Sequence, residues 1–194
     1  MMSRGSEWSL LLLLLFSRSH WADESPTVSN GSATVCPLKC ECKWKGGKES
    51  VTCHNIGLTD IPHVLEPTVQ VLDLGGNPLA QLSAQAFRRL GLLHLQRILL
   101  QRCSIRSVER STFMGLTNLV ELDLSHNNLA TIPIHAFDSI PQLRELKLSG
   151  NPLVRLNNHA LAAVSQLVRL ELANCQLNVI EPRAFQGKQK LALH

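Results

Sequence analysis

Leu122-Asp123-Leu124-Ser125-His126-Asn127-Asn128-Leu129 is the stretch that decides the fold. In an extended chain Leu122 and Leu124 fall on one face and Asp123 on the other, and the Asn that follows turns the chain off the strand. The same eight positions return as Leu72-Asp73-Leu74-Gly75-Gly76-Asn77-Pro78-Leu79 and as Leu146-Lys147-Leu148-Ser149-Gly150-Asn151-Pro152-Leu153. Ile98 to Ile105 and Leu170 to Leu177 are two further copies, with Cys103 and Cys175 in the Asn column. The period is near 24 residues, and later columns keep step with it. Ten residues after the Asn or Cys stand Phe87, Phe113, Phe137, Leu161 and Phe185, and five residues after it Leu82, Val108, Ile132, Leu156 and Ile180.

Written out, the pattern is L-x-x-L-x-L-x-x-[NC]-x-L, the leucine-rich repeat signature. It predicts a β-rich solenoid of the α/β type, a leucine-rich repeat horseshoe with short parallel strands. One coil cannot bury its own core, whereas five stacked coils can. The Phe column is expected to fill the convex side. Resemblance to the solved family implies a structural ladder at Asn77, Cys103, Asn127, Asn151 and Cys175, with each Asn bonding loop backbone inside the coil. The two cysteines then read as small buried groups with a weak S–H donor, seventy-two residues apart, rather than as a disulfide or redox pair.

Composition agrees. There are 36 leucines in 194 residues, aromatics make up only 4%, and 19 basic against 15 acidic residues leave a formal +4. That surplus is too mild for a nucleic-acid binder, and the aliphatic content excludes disorder. Residues 1–22 carry Arg4 and then Leu10 to Phe16, with small residues beyond, as a secretory signal peptide does. Seven apolar residues would span only ~10 Å of helix, against a ~30 Å hydrocarbon core. Residues 23–35 read as a flexible leader, with Asn30-Gly31-Ser32 as a glycosylation sequon.

Cys36, Cys40, Cys42 and Cys53 form C-x3-C-x-C-x10-C. Export favours disulfides over zinc, and spacing alone permits three pairings, of which a Cys40–Cys42 bridge would be strained. Cys36-Pro37 and the strand-like Val51-Thr52-Cys53 resemble the N-terminal cap of extracellular leucine-rich repeat proteins. That resemblance implies the bridges Cys36–Cys42 and Cys40–Cys53. The expected organisation is thus a cap over 36–66, five repeats over 67–187 and an aberrant or truncated sixth repeat over 188–194.

Nothing in the sequence suggests an enzyme, a metal site or a cofactor. The histidines show no H-x-x-x-H or H-E-x-x-H spacing, and no phosphate loop or nucleophile elbow appears. His135 and His159, at equivalent repeat positions, read as solvated convex side chains. The non-leucine strand residues are expected to face the concave side. One column is Val71, Arg97, Glu121, Glu145 and Arg169; its neighbour is Asp73, Leu99, Asp123, Lys147 and Glu171. Mixed charge with apolar interruptions suits a protein partner, a cell-surface receptor among the candidates, rather than nucleic acid, heparin or lipid. The candidate centre is Arg97, Leu99, Glu121, Asp123, Glu145 and Lys147. Five strands give a patch about 24 Å long and roughly 400–500 Å² in area, below the ~800 Å² per partner of a standard interface.

Cys42-Lys43-Trp44-Lys45 with Gly47-Lys48-Glu49-Ser50, Arg102-Cys103, Leu170-Glu171-Leu172 and Arg183-Ala184-Phe185-Gln186-Gly187 are similar to the insect Kekkon family. That likeness implies a single-pass cell-surface protein with an immunoglobulin domain, and an adhesion or receptor-modulating role. A secreted recognition or decoy factor and a small leucine-rich matrix protein are the alternatives. At Lys188 the column of Leu90, Leu116, Ile140 and Val164 breaks, Leu191 falls where a sixth repeat starts, and His194 falls at its next leucine position. The expectation is a truncated product or incomplete gene model with no membrane span of its own.

Overall fold

A repeat whose leucines alternate with polar residues for only three positions makes a strand of three residues, and stacking such strands makes the sheet. The computed structural model describes residues 36–194. The signal-peptide, leader and Asn30 readings lie outside them. In chain order the strands are β1 (Glu41–Lys45), β2 (Lys48–Thr52), β3 (Val71–Asp73), β4 (Gln81–Leu82), β5 (Arg97–Leu99) and β6 (Ser107–Val108). Then come β7 (Glu121–Asp123), β8 (Glu145–Lys147), β9 (Arg155–Leu156), β10 (Arg169–Glu171), β11 (Val179–Ile180) and β12 (Ala192–Leu193). One eight-stranded sheet runs β1-β2-β3-β5-β7-β8-β10-β12. Only the cap pair β1–β2 is antiparallel; from β2 onward each neighbour is parallel. The fold is a leucine-rich repeat solenoid of about six turns.

Leu72, Ile98, Leu122, Leu146 and Leu170 are each fully buried, as are Leu74, Leu100, Leu124 and Leu148. Each is worth roughly 1.5–3 kcal/mol when removed from water, so the solenoid is held by its columns. Phe87, Phe113 and Phe137 fill the opposite side, with the Phe87 and Phe113 rings stacked at 5.9 Å. On that side the chain runs in turns and two short 3-10 segments, Arg88–Leu90 and Ile134–Ser139.

The ladder column is satisfied bond by bond. Asn127 Oδ1 accepts the N–H groups of Cys103 (2.9 Å) and Ile105 (3.0 Å), while its Nδ2 donates to Leu100 O (2.8 Å) and Leu124 O (2.9 Å). Asn77 does the same between Ile56, Leu58, Cys53 and Leu74. Asn151 accepts from Leu129 and donates to Leu124 and Leu148. Cysteine replaces only the donor half. Cys103 Sγ lies 3.2 Å from Leu74 O and Cys175 Sγ 3.4 Å from Leu148 O. Burial pushes both thiols up, which keeps the S–H donor in place. Lacking a side-chain acceptor, the Cys103 coil offers its own backbone: Cys103 O accepts the Leu79 N–H at 3.0 Å. Each cysteine coil also pairs a second strand with the Asn coil before it: β6 with β4 of the Asn77 coil and β11 with β9 of the Asn151 coil.

The residue before the ladder column has positive φ in every coil: Asn55, Gly76, Arg102, His126, Gly150 and Asn174. Glycine serves at two of these; at Gly150 it also leaves the room that the His126 ring occupies.

Three expectations are corrected. Cys175 is half-buried, not buried. The sheet has eight strands, not five, because the cap hairpin joins it through β2 and β12 adds to its far end. Within residues 188–194, β12 pairs in parallel with β10. Its register is one residue short of the 24-residue step, so Leu193, not His194, stands opposite Leu170. Lys188, in an apolar column, is accommodated by directing Nζ onto Val164 O at 2.7 Å, and burial pulls its ammonium down from the usual lysine range.

Candidate functional site

The sheet register puts Ser50, Val71, Arg97, Glu121, Glu145, Arg169 and Ala192 in one row, and Thr52, Asp73, Leu99, Asp123, Lys147 and Glu171 in the next. Both rows lie on the face opposite the buried leucines, because side chains alternate along each strand. With eight strands the face is about 38 Å long, which at 15–20 Å width gives roughly 600–750 Å².

Four of the six candidate residues form one ionic ladder. Arg97 Nε sits 2.6 Å from Glu121 Oε2; Lys147 Nζ bridges Glu121 at 3.2 Å and Glu145 at 3.3 Å. Arg169 extends the ladder, 3.5 Å from Glu145. The bridging step is diagonal: Lys147 stands in the neighbouring row, two residues beyond Glu145, and reaches back across the strand. Glu121 is the keystone, 8% exposed. Burial alone would raise its carboxyl, but the hydrogen bonds from Arg97 and Lys147 outweigh this and hold it below the usual carboxylate range. For Lys147, burial pulls the ammonium down, and Glu121 and Glu145 more than restore it.

The other two candidates stand beside the ladder rather than in it. Leu99 is half-buried between Asp73 and Asp123 in its row. Asp123 Oδ1 is engaged by its own turn, accepting the Ser125 N–H at 2.8 Å and the Ser125 hydroxyl at 2.5 Å; Asp73 likewise accepts the Gly75 N–H at 2.9 Å. Asp73 is also 3.7 Å from His54 Nδ1. Gly75 has no Cβ, and the Gln101 amide and the His54 ring occupy that space.

Disulfides join Cys36 to Cys42 and Cys40 to Cys53, tying β1 and the end of β2 to the cap turn. His135 and His159 are exposed. Among the described residues no group of three or more His, Cys, Asp or Glu is placed to hold a metal ion, and no helix is long and apolar enough to cross a membrane. Sequence columns missed the ladder, because they give rows but not which side chains reach diagonally. They also passed over the lysines of the cap hairpin, Lys43, Lys45 and Lys48, although the Gly46-Gly47 pair between two of them is a hairpin signal.

The leucine rich repeat family profile matches residues 94–153. A mouse chondroadherin-like protein is 35% identical over 113 residues, 58% of this chain and 14% of that protein. Chicken decorin is 34% identical over 76 residues, 38% of this chain and 20% of decorin. A zebrafish leucine-rich repeat and immunoglobulin-like domain-containing nogo receptor-interacting protein 1-B is 32% identical over 80 residues, 41% of this chain and 11% of that protein. The chain therefore spans a fifth or less of the length of these three relatives. Relatives of this kind are extracellular matrix or cell-surface proteins.

Proposed function

Because the chain is a leucine-rich repeat protein with extracellular relatives, we propose that it is a protein-binding module of the cell exterior that receives its partner on the concave sheet. The observation that carries this is the ladder Arg97–Glu121–Lys147–Glu145–Arg169, which fixes five charged side chains beside the half-buried Leu99 on one face of the sheet. Side chains already held by one another lose little freedom when a partner docks, and their alternating signs select a complementary surface. Leu99 is the apolar anchor at the centre, with Asp123 beside it. Arg97, Glu121, Glu145 and Lys147 set the charge pattern around it.

The finer reading is a Kekkon-like cell-surface adhesion or receptor-modulating protein, exported by residues 1–22 and glycosylated at Asn30. Its support is the cap segment Cys42-Lys43-Trp44-Lys45 and the similarity to a relative named for an immunoglobulin-like domain and a receptor interaction. The decorin similarity favours a second reading, a small leucine-rich matrix protein. The test is a binding screen of the secreted chain against cell-surface ectodomains and matrix proteins, repeated with Leu99→Glu. At least a tenfold loss for the best hit, with an unchanged circular dichroism spectrum, is expected. Unchanged affinity removes the concave centre from the proposal, and a glycosaminoglycan chain attached to the secreted product selects the matrix reading.

A further inference from the structure

The ladder pairs the charges in the middle of the concave face, whereas at the cap end of the same face Lys45 and Lys48 have no carboxylate partner among the described residues. Gly46 and Gly47 both have positive φ, as a two-residue type I′ hairpin turn requires, and this fixes the register of β1 against β2. Lys45 then stands directly opposite Lys48, and Lys43 opposite Ser50. Directly opposed residues share a face, so the three lysines lie together on the side that Ser50 continues into Val71 and Arg97. Opposed Cβ atoms are about 5 Å apart and alternate residues on one strand about 7 Å apart. Lys43 pairs with Glu41. Among the described residues no carboxylate comes within 4 Å of Lys45 or Lys48, whereas Arg97, Lys147 and Arg169 each have one. Like charges directly opposed across a hairpin destabilise it, and an anion lying across them reverses the sign.

We propose that Lys43, Lys45 and Lys48 form a binding site for a sulfated polysaccharide chain, separate from the protein-binding centre. The hairpin is preorganised: one disulfide leaves β1 at Cys42 and the other closes after β2 at Cys53, so little freedom is lost on binding. Three cations spaced by several ångströms across the two strands of the hairpin match a polymer with repeated anionic groups better than a single small anion. Trp44 decides among polymers. It is 74% exposed but alternates to the opposite face of β1, opposed to Glu49. The lysine face therefore offers no aromatic platform for stacked bases, and the indole and ammonium groups cannot enter one lipid interface side by side. A sulfated sugar chain needs neither.

The test is titration calorimetry of the whole secreted chain with a heparin octasaccharide. Its desulfated counterpart, a single-stranded DNA oligonucleotide and phosphatidylcholine vesicles with 30% phosphatidylserine serve as comparisons. Binding is expected to weaken with salt as two to three released counterions dictate. It should fall at least tenfold in a Lys45→Gln, Lys48→Gln double variant and stay unchanged in an Arg102→Gln, Arg106→Gln variant altered at exposed cations elsewhere. The octasaccharide should also raise the melting temperature of the unaltered chain and not that of the lysine variant, a readout independent of secretion level. The double variant should melt no lower than the parent without ligand, because a repulsion has been removed. Affinity within twofold of the parent in that variant overturns the proposal. So does equal binding of the desulfated chain, or tighter binding of DNA or vesicles.

Discussion

Asn127→Ala tests the ladder most directly. The side chain serves five backbone groups of two coils, at 2.8 to 3.2 Å. Alanine leaves the Cys103 and Ile105 N–H groups without an acceptor in a site where Cys103 and Ile105 are fully buried. Each orphaned buried donor costs about 1–3 kcal/mol, and each carbonyl that loses one of two partners costs less. The sum is about 3–5 kcal/mol, which for a chain of this size lowers the melting temperature by roughly 8–16 °C. Asn127→Cys should cost about half as much. It keeps a donor, as Cys103 does toward Leu74 O, but supplies no acceptor. The assay is urea and thermal denaturation followed by circular dichroism, with amide exchange at Cys103 and Ile105 as the local probe. If Asn127→Ala loses less than about 1 kcal/mol while the Ile105 amide stays protected, the backbone does not depend on the side chain and the reasoning is refuted. If Asn127→Cys is as costly as alanine, the account of the cysteine coils fails.

Two other outcomes follow from the packing and the ladder. Phe113→Ala removes a fully buried ring stacked on Phe87 and should cost about 3–5 kcal/mol by denaturant unfolding, more than the substitution of Phe185, which is only half-buried. Glu121→Gln strips the ladder of its central charge and should cost about 1–2 kcal/mol at neutral pH, held low because the Arg97 guanidinium is 44% exposed. The folded Glu121 carboxyl is held below its unfolded value, so its contribution is present above about pH 4.3 and is lost as pH falls through the folded value. The Gln variant should accordingly show a shallower loss of stability in acid; an identical acid limb would remove Glu121 from the account.

The candidate site was only partly legible in the sequence. Columns put Arg97, Glu121, Glu145 and Arg169 in one row because each is the first residue of its strand. They could not show that Lys147 leaves its own row to bridge Glu121 and Glu145, since that depends on the reach and burial of a side chain between two coils. Asp123 looked as free as Glu121 in the sequence, yet Ser125 two residues on claims it. Opposition of Lys45 and Lys48 was within reach, because Gly46-Gly47 specifies a two-residue turn and a turn of known length sets register.

By itself the sequence determined the repeat, its inward columns and the ladder positions. These follow from local alternation and a fixed period, which every coil restates and which burial enforces in the same way each time. Only the tertiary structure decided which charges cancel, where the cysteine coils gain their second strand pairs, how the cap hairpin lengthens the sheet and that β12, the strand of the sixth repeat, pairs one residue early. Those depend on contacts between coils some 24 residues apart, where side-chain length, burial and backbone hydrogen-bond demand choose among partners that the period leaves equivalent.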